Sequence, residues 1–136
     1  MADITVTAAN VHPHDGATIK VVTAATTCTA GQLIYKDTTD SNKYRPVDAG
    51  VAASAVIAGI AMSNSSDGES MVIATGGEVD PGGTVAVGVW YTASSNAGGI
   101  APTADNTATN YPSLFGYGLA ADKILITITN TSTAKA

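Results

Sequence analysis

The chain has 136 residues, of which only 12% are charged, with 11 acidic against six basic residues. Nucleic-acid binding is disfavoured because it requires clustered lysine and arginine. Intrinsic disorder is disfavoured because disordered chains combine low hydrophobicity with high charge. The chain contains 22 valines and isoleucines and 19 threonines but only four leucines. These β-branched side chains favour strands over helices, so the composition predicts an all-β protein.

The N-terminal stretch has the alternating pattern of an extended strand. Ile4 and Val6 alternate with polar residues, and Pro13 and Gly16 then break the pattern. Because this stretch is short and separated from the next predicted strand, we predict an arm over residues 1–16 and a single β domain over 17–136. We expect the arm to be mobile in the isolated protein and to become ordered by adding a strand to a neighbouring chain.

Both histidines of the chain lie in the segment "HPHD" at residues 12–15. In an extended segment His12 and His14 project to the same side, as two ligands of one metal ion do. The third ligand would have to be Asp15 turning back or a distant residue. A polar hinge between arm and body accounts for the segment more simply, so we predict no metal.

The central part of the chain is predicted to form short strands joined by polar turns. "DTTDSN" supplies the turn of a hairpin that runs from Lys36 to Tyr44. Cys28 is the only cysteine and is interpreted as a small buried apolar residue. The sequence opens without a basic start or an apolar run, and its longest apolar stretch is too short to cross a membrane. We therefore expect a protein made in the cytoplasm, with no membrane partner.

The segment "VAVGVWYTASS" carries the only tryptophan. Strand alternation puts Val85, Val87, Val89 and Tyr91 on the core face and Trp90 on the other face, beside Gly88. Trp90 is therefore expected to pack on another element or another subunit. The same interface role is predicted for three aromatic residues near the last strand: Tyr111, Phe115 and Tyr117. In that last strand Ile124, Ile126 and Ile128 face one way and Leu125 faces the other.

The sequence lacks the patterns of common catalytic sites. It has no nucleophile elbow, phosphate loop or dinucleotide-binding glycine motif, and its acidic residues are not paired in an apolar setting. We predict that the protein is not an enzyme, uses no cofactor and binds no small-molecule substrate.

Four segments, taken in order, resemble the head decoration, or capsid cement, proteins of tailed bacteriophages. They are "TAGQLIYKD", "VIAGIAMSNSSDGESMVIATGGEV", "VAVGVWYTASSNAGGIAP" and "LFGYGLAADKILITI". The resemblance covers most of residues 28 to 129. It implies a compact β-barrel or β-tulip body, usually a homotrimer, on the outer capsid surface of the virion. Its partner would be the major capsid protein, which the arm would contact through Ile4, Val6, His12 and His14.

Two other function classes remain open from the sequence. A phage tail or spike component shares the threonine- and glycine-rich β composition. An adhesion or carbohydrate-binding module would use Trp90 and nearby tyrosines as stacking platforms. Co-purification with heads, with tails or with neither distinguishes the three.

Overall fold

The computed structural model describes residues 3–48, 56–94, 96–103 and 113–130. These residues form an antiparallel sheet of short strands that curls into a half-barrel, which confirms the all-β prediction. A 3-10 turn, Ala8–Asn10, precedes the sheet. The strands are β1 His12–Pro13, β2 Thr18–Thr23, β3 Leu33–Asp37, β4 Lys43–Pro46, β5 Gly59–Ala61, β6 Ser70–Asp80, β7 Trp90–Ala93, β8 Ile100–Pro102, β9 Leu114–Ala120 and β10 Lys123–Thr129.

The long strand β6 organises the sheet. The strand order is β4-β3-β5-β6-β10-β9-β7-β8, and β1 and β2 also pair with β6. The first half of β6 pairs with β2 and β5, and its second half pairs with β1 and β10. The change of partners occurs at Gly76 and Gly77. A single strand therefore joins the two parts of the curled sheet.

The interior of the curled sheet is filled by aliphatic side chains around one phenylalanine. The main core cluster contains Phe115, Leu33, Ile60, Ile100 and Ile124, each no more than 1% exposed. A second cluster contains Met71, Ile73 and Cys28. Cys28 is 1% exposed, which confirms its interpretation as a buried apolar residue. Burial raises the pKa of its thiol, so the neutral form is favoured.

The predicted hairpin from Lys36 to Tyr44 is confirmed. β3 and β4 pair with Lys36 opposite Tyr44. At the hairpin end, Arg45 Nε donates to Asp37 at 3.0 Å and Arg45 Nη2 donates to Asp40 at 2.6 Å. Two carboxylates on one guanidinium fix the hairpin end by charge-assisted hydrogen bonds.

Candidate functional site

Three apolar side chains form a row across neighbouring strands on the outer face of the sheet. Trp90 of β7 lies opposite Tyr117 of β9, and Tyr117 lies opposite Leu125 of β10. Residues directly opposite each other in antiparallel strands present their side chains to the same face. The Trp90 and Tyr117 rings are 5.0 Å apart between centroids at an interplanar angle of 61°. This edge-to-face packing holds the indole in a defined position.

The row is part of a larger exposed apolar area, which we call the outer apolar surface. It consists of the exposed side chains of Val87, Trp90, Leu119 and Leu125 and the half-buried side chain of Tyr117. Trp90 is 40% exposed and Val87 is 69% exposed. The backbone links the turn that carries Val87 to the strand that carries Leu119, because the Gly88 amide donates to the Gly118 carbonyl at 2.9 Å. Clustered exposed apolar side chains are typical of surfaces that contact another macromolecule.

The inner side of the same strands explains why these residues face outward. Val85 and Tyr91 are buried, and the Tyr91 hydroxyl accepts a hydrogen bond from the Ala86 amide at 2.8 Å. On β9, Gly116 and Gly118 face inward, where a side chain would collide with β10 or with residues 85–86. Their larger neighbours Tyr117 and Leu119 therefore lie on the outer face.

The prediction of one continuous strand is wrong, and so is the predicted core position of Val87. Val85 is buried and Val89 packs against the main core cluster, as predicted. The strand begins only at Trp90, and Val87 lies in a turn with Gly88 at φ +81°. A residue without a Cβ adopts that left-handed conformation freely, so the turn forms there. Strand alternation consequently fails between Val85 and Val89, and Val87 is exposed.

The four predicted interface aromatics are in different settings. Trp90 and Tyr117 both belong to the outer apolar surface. Phe115 is fully enclosed in the core of its own chain, so its side chain is not available to a partner and we exclude it from the interface. Strand alternation alone would place Phe115 and Tyr117 on the same face. The pairing of β9 with β7 passes from Gly116 opposite Tyr91 to Leu114 opposite Thr92, so Phe115 is the extra residue of a β-bulge and the alternation is interrupted there. Tyr111 lies outside the described residues.

Leu125, Leu119 and Val87 are surface residues that the sequence did not assign to an interface. The alternation of β10 correctly predicted that Leu125 faces away from Ile124 and Ile126, which are both buried. The available signal was a leucine at a position where its neighbours on that face are threonines. No comparable signal exists for Val87, whose exposure depends on the turn at Gly88.

The predicted arm lies along its own domain in the isolated chain. The Ile4 amide donates to the Ile100 carbonyl at 2.7 Å, and the Thr7 amide donates to the Gly82 carbonyl at 2.8 Å. The Ile4 side chain packs against the main core cluster. Pairing of Ile4 and Val6 with a neighbouring chain therefore requires that these contacts be broken first.

A carboxylate extends the contact between the N-terminal residues and the body. Asp3 Oδ2 accepts hydrogen bonds from Ser94 Oγ at 2.9 Å and from Asn96 Nδ2 at 3.0 Å. These two donors lie in the segment that connects β7 to β8. The N-terminal residues thus close the end of the half-barrel next to β8.

His12 and His14 lie beside an acidic residue that the sequence did not connect to them. β1 pairs with β6 so that His12 is directly opposite Asp80. His12, His14 and Asp80 each present one ligand-type atom, and these three atoms lie within 4.8 Å of one another. Asp80 is 66 residues away from His14 in sequence, so only the strand pairing reveals the cluster.

The outer apolar surface offers aromatic and aliphatic area and one phenol hydroxyl. Among the described residues, the side chains with a shifted pKa are Cys28, Tyr35, Asp37 and Arg45. Burial raises the pKa of Cys28 and Tyr35, and the hairpin hydrogen bonds shift Asp37 and Arg45 in opposite directions. None of the four belongs to the outer apolar surface.

No helix in the described parts of the chain is long and apolar enough to span a bilayer. Comparison with protein-family models gives no match, and comparison with curated proteins gives none either.

Proposed function

We propose that the chain is a structural virion protein that decorates the outer surface of a phage capsid. It would stabilise the shell by bridging subunits of the major capsid protein, with three copies of the chain forming a trimer. The observation that carries the proposal is the outer apolar surface, an exposed aromatic and aliphatic row on a protein with few charges. The order of segments that resembles the decoration proteins supports the same function.

The composition of the outer apolar surface suits contact between protein subunits. Tryptophan and tyrosine are the residues that most often dominate the free energy of protein–protein binding. Three neighbouring strands place Trp90, Tyr117 and Leu125 across about 10 Å of surface. This width fits the centre of a contact whose rim is polar. We assign this surface to the contact between copies of the chain in the trimer.

We assign the N-terminal segment to the contact with the capsid. Ile4 and Val6 lie on an extended segment held to the body by few backbone hydrogen bonds. An extended segment of this type can leave its own domain and pair with the edge strand of a sheet in a neighbouring chain. His12 and His14, at the end of the segment, adjoin the body through β1.

We infer a structural rather than an enzymatic role. The four side chains with shifted pKa values are explained by burial in the core and by the ion pairs of the β3–β4 hairpin. A sugar-binding role receives less support, because the Trp90 and Tyr117 rings are tilted by 61° and do not form one flat platform. A tail component remains the alternative to test.

Heating of phage heads with and without the protein tests the proposal. A protein that binds only the assembled shell stabilises that state by mass action, so we expect DNA release at a higher temperature when the protein is bound. Identical release temperatures at full occupancy would refute cementing. Co-purification with tails instead of heads would favour the tail component.

Two matched variants test the assignment of the outer apolar surface. Val87→Glu places a charge on this surface, whereas Val21→Glu places one on β2 at a valine of similar exposure, 64% against 69%. Burial of an unpaired charge in a contact is unfavourable. We expect Val87→Glu to abolish the trimer in light scattering and Val21→Glu to leave it intact. Equal behaviour of the two variants would contradict the assignment.

A further inference from the structure

The cluster of His12, His14 and Asp80 at the junction of β1 and β6 has the features of a metal site. We propose that these three side chains bind one divalent transition-metal ion, of which Zn²⁺ fits the donor set best. Two imidazoles and one carboxylate form a ligand set found in zinc sites with an open fourth position. The site includes two histidines of the segment that we assign to the capsid contact, but metal binding itself is tested on the isolated protein and does not require that assignment.

The backbone fixes the relative positions of the three side chains. His12 lies opposite Asp80 in antiparallel register, and the His14 amide donates to the Glu78 carbonyl at 2.7 Å. Between the two histidines, Pro13 lies opposite Val79, which is fully buried. Alternation along the extended segment therefore directs both imidazoles to one side of β1, and their ring centroids are 4.7 Å apart.

Hydrogen bonds around the cluster hold His12 and Asp80 in place. His12 Nδ1 lies 2.8 Å from the Asn10 carbonyl. Because a carbonyl only accepts, Nδ1 carries the proton and Nε2 keeps its lone pair. Such a bond from one ring nitrogen to a backbone carbonyl is the usual support of a metal-binding histidine. Asp80 is held similarly, since its Oδ1 accepts from the Gly82 amide at 2.8 Å. Its Oδ2 lies 3.9 Å from His12 Nδ1.

The second imidazole supplies an independent observation. Within the described part of the chain, His14 Nε2 is buried and has no hydrogen-bond partner. A buried polar atom without a partner destabilises the fold, because it has lost its hydrogen bonds to water. Coordination of a metal ion by the His14 ring would give this side chain a bonding partner.

The distances permit coordination after a small rearrangement. Ligand atoms of a tetrahedral zinc ion lie about 3.3 Å apart, because each bond is about 2.0 to 2.1 Å long. The three atoms here lie within 4.8 Å of one another. The His12 side chain is 54% exposed, so the ring can rotate to present Nε2 to the ion. A groove of about 480 Å³, lined in part by His12, Asp80 and Asp122, gives the ion a path from solvent.

Metal binding at this site would fasten the N-terminal segment to the body. Two ligands belong to the segment that includes β1, and the third belongs to β6. The unfolded chain does not bring these residues together, so the ion binds the folded state preferentially and raises its melting temperature.

Calorimetric titration of the untagged, chelator-treated protein with ZnCl₂ tests the proposal. We expect one Zn²⁺ per chain and a rise in melting temperature. His12→Ala and Asp80→Asn should each weaken binding by at least about tenfold. His12 is exposed, and asparagine keeps the Oδ1 acceptor for Gly82, so both variants should fold. Asp15→Asn and Asp122→Asn are the controls, because both acids are near the cluster but outside it.

Cobalt substitution provides a second readout. Co²⁺ in the wild-type site should give the intense visible absorption of a low-coordinate ion bound by histidine, and His12→Ala should remove it. Absence of Zn²⁺ binding by the wild-type protein in large excess of metal would overturn the proposal. Equal Zn²⁺ affinity of the wild type, His12→Ala and Asp80→Asn would overturn it as well.

Discussion

Gly77 of β6 is in direct contact with the backbone of Gly16, at the point where β6 exchanges its partners. Gly77 has φ +81°, and a Cβ at this position would overlap the Gly16 carbonyl and the Ala17 amide. The turn between β1 and β2 is therefore pressed against the middle of β6. Because of this contact, β1 and β2 can both pair with β6. His12 then lies opposite Asp80 and Thr23 lies opposite Ser70.

Gly77→Ala is expected to destabilise the fold by more than its backbone conformation alone requires. Gly68 is the matched control, because it has φ +83° but no heavy atom within 4 Å of the Cβ position. Gly68→Ala should cost about 1 to 2 kcal/mol for the left-handed conformation. Gly77→Ala should exceed it by about 1 to 3 kcal/mol because of the overlap. Urea unfolding measures the loss of stability in both variants. Equal losses would show that the fold has room for a Cβ at Gly77.

Trp90→Ala should leave the domain folded. The indole is 40% exposed, so the loss is mainly the edge-to-face contact with Tyr117, about 0.5 to 1.5 kcal/mol. Phe115→Ala, at a fully buried position, should cost about 3 to 5 kcal/mol. Thermal unfolding of the two variants gives the comparison. If Trp90→Ala proved as destabilising as Phe115→Ala, the indole would be a core residue and not part of an interface.

Acid should weaken the β3–β4 hairpin through Asp37. The hydroxyl of Thr39, then its amide, and the Arg45 guanidinium hold the pKa of the Asp37 carboxyl below its ordinary value of 3.8. Because the folded-state pKa is the lower one, Asp37 stabilises the fold fully above pH 3.8. This stabilisation is lost as the pH falls through the folded-state pKa.

Urea unfolding between pH 6 and pH 2 measures how the free energy of unfolding depends on pH. The wild type should lose more stability on acidification than Asp37→Asn, which cannot titrate at this position. Asp15→Asn, at an exposed acid outside the hairpin, should follow the wild type. Parallel curves for the wild type and Asp37→Asn would show that the hairpin bonds do not favour the ionised carboxyl.

Local patterns in the sequence predicted much of the fold. β-branched composition predicted the all-β class, turn residues predicted the hairpin at Lys36 to Tyr44, and alternation predicted the two faces of β10. Each of these signals is carried by residues close together in the chain. The position of Trp90 on the face opposite the buried Tyr91 was predicted in the same way.

Long-range pairing determined what the sequence left open. The outer apolar surface depends on the register that aligns Trp90, Tyr117 and Leu125, which come from three separate strands. The metal-ligand cluster depends on the pairing of His12 with Asp80. Phe115 was assigned to the interface because an isolated aromatic residue gives no indication of which face of its strand is buried. Such registers follow from packing of the whole sheet and not from the local pattern.

The contacts of Ile4 and Val6 provide a test of the N-terminal segment with a control inside the same segment. Both side chains are partly buried, whereas Thr5 and Thr7 between and beside them are exposed. Ile4→Ser with Val6→Ser should lower the stability of the free protein by about 2 kcal/mol, because it removes apolar area from the body. Thr5→Ser with Thr7→Ser should have almost no effect.

The same variants separate the docked state of the segment from its proposed role on the capsid. In the free protein, hydrogen exchange at the Ile4 amide should be slow, since this amide donates to the Ile100 carbonyl. If Ile4 and Val6 then pair with a neighbouring chain on the head, the Ile4→Ser/Val6→Ser variant should also show lower occupancy on heads. The threonine control should decorate heads normally, because its substitutions are on the other side of the extended segment. Lower stability with unchanged occupancy would limit the role of Ile4 and Val6 to closing their own half-barrel.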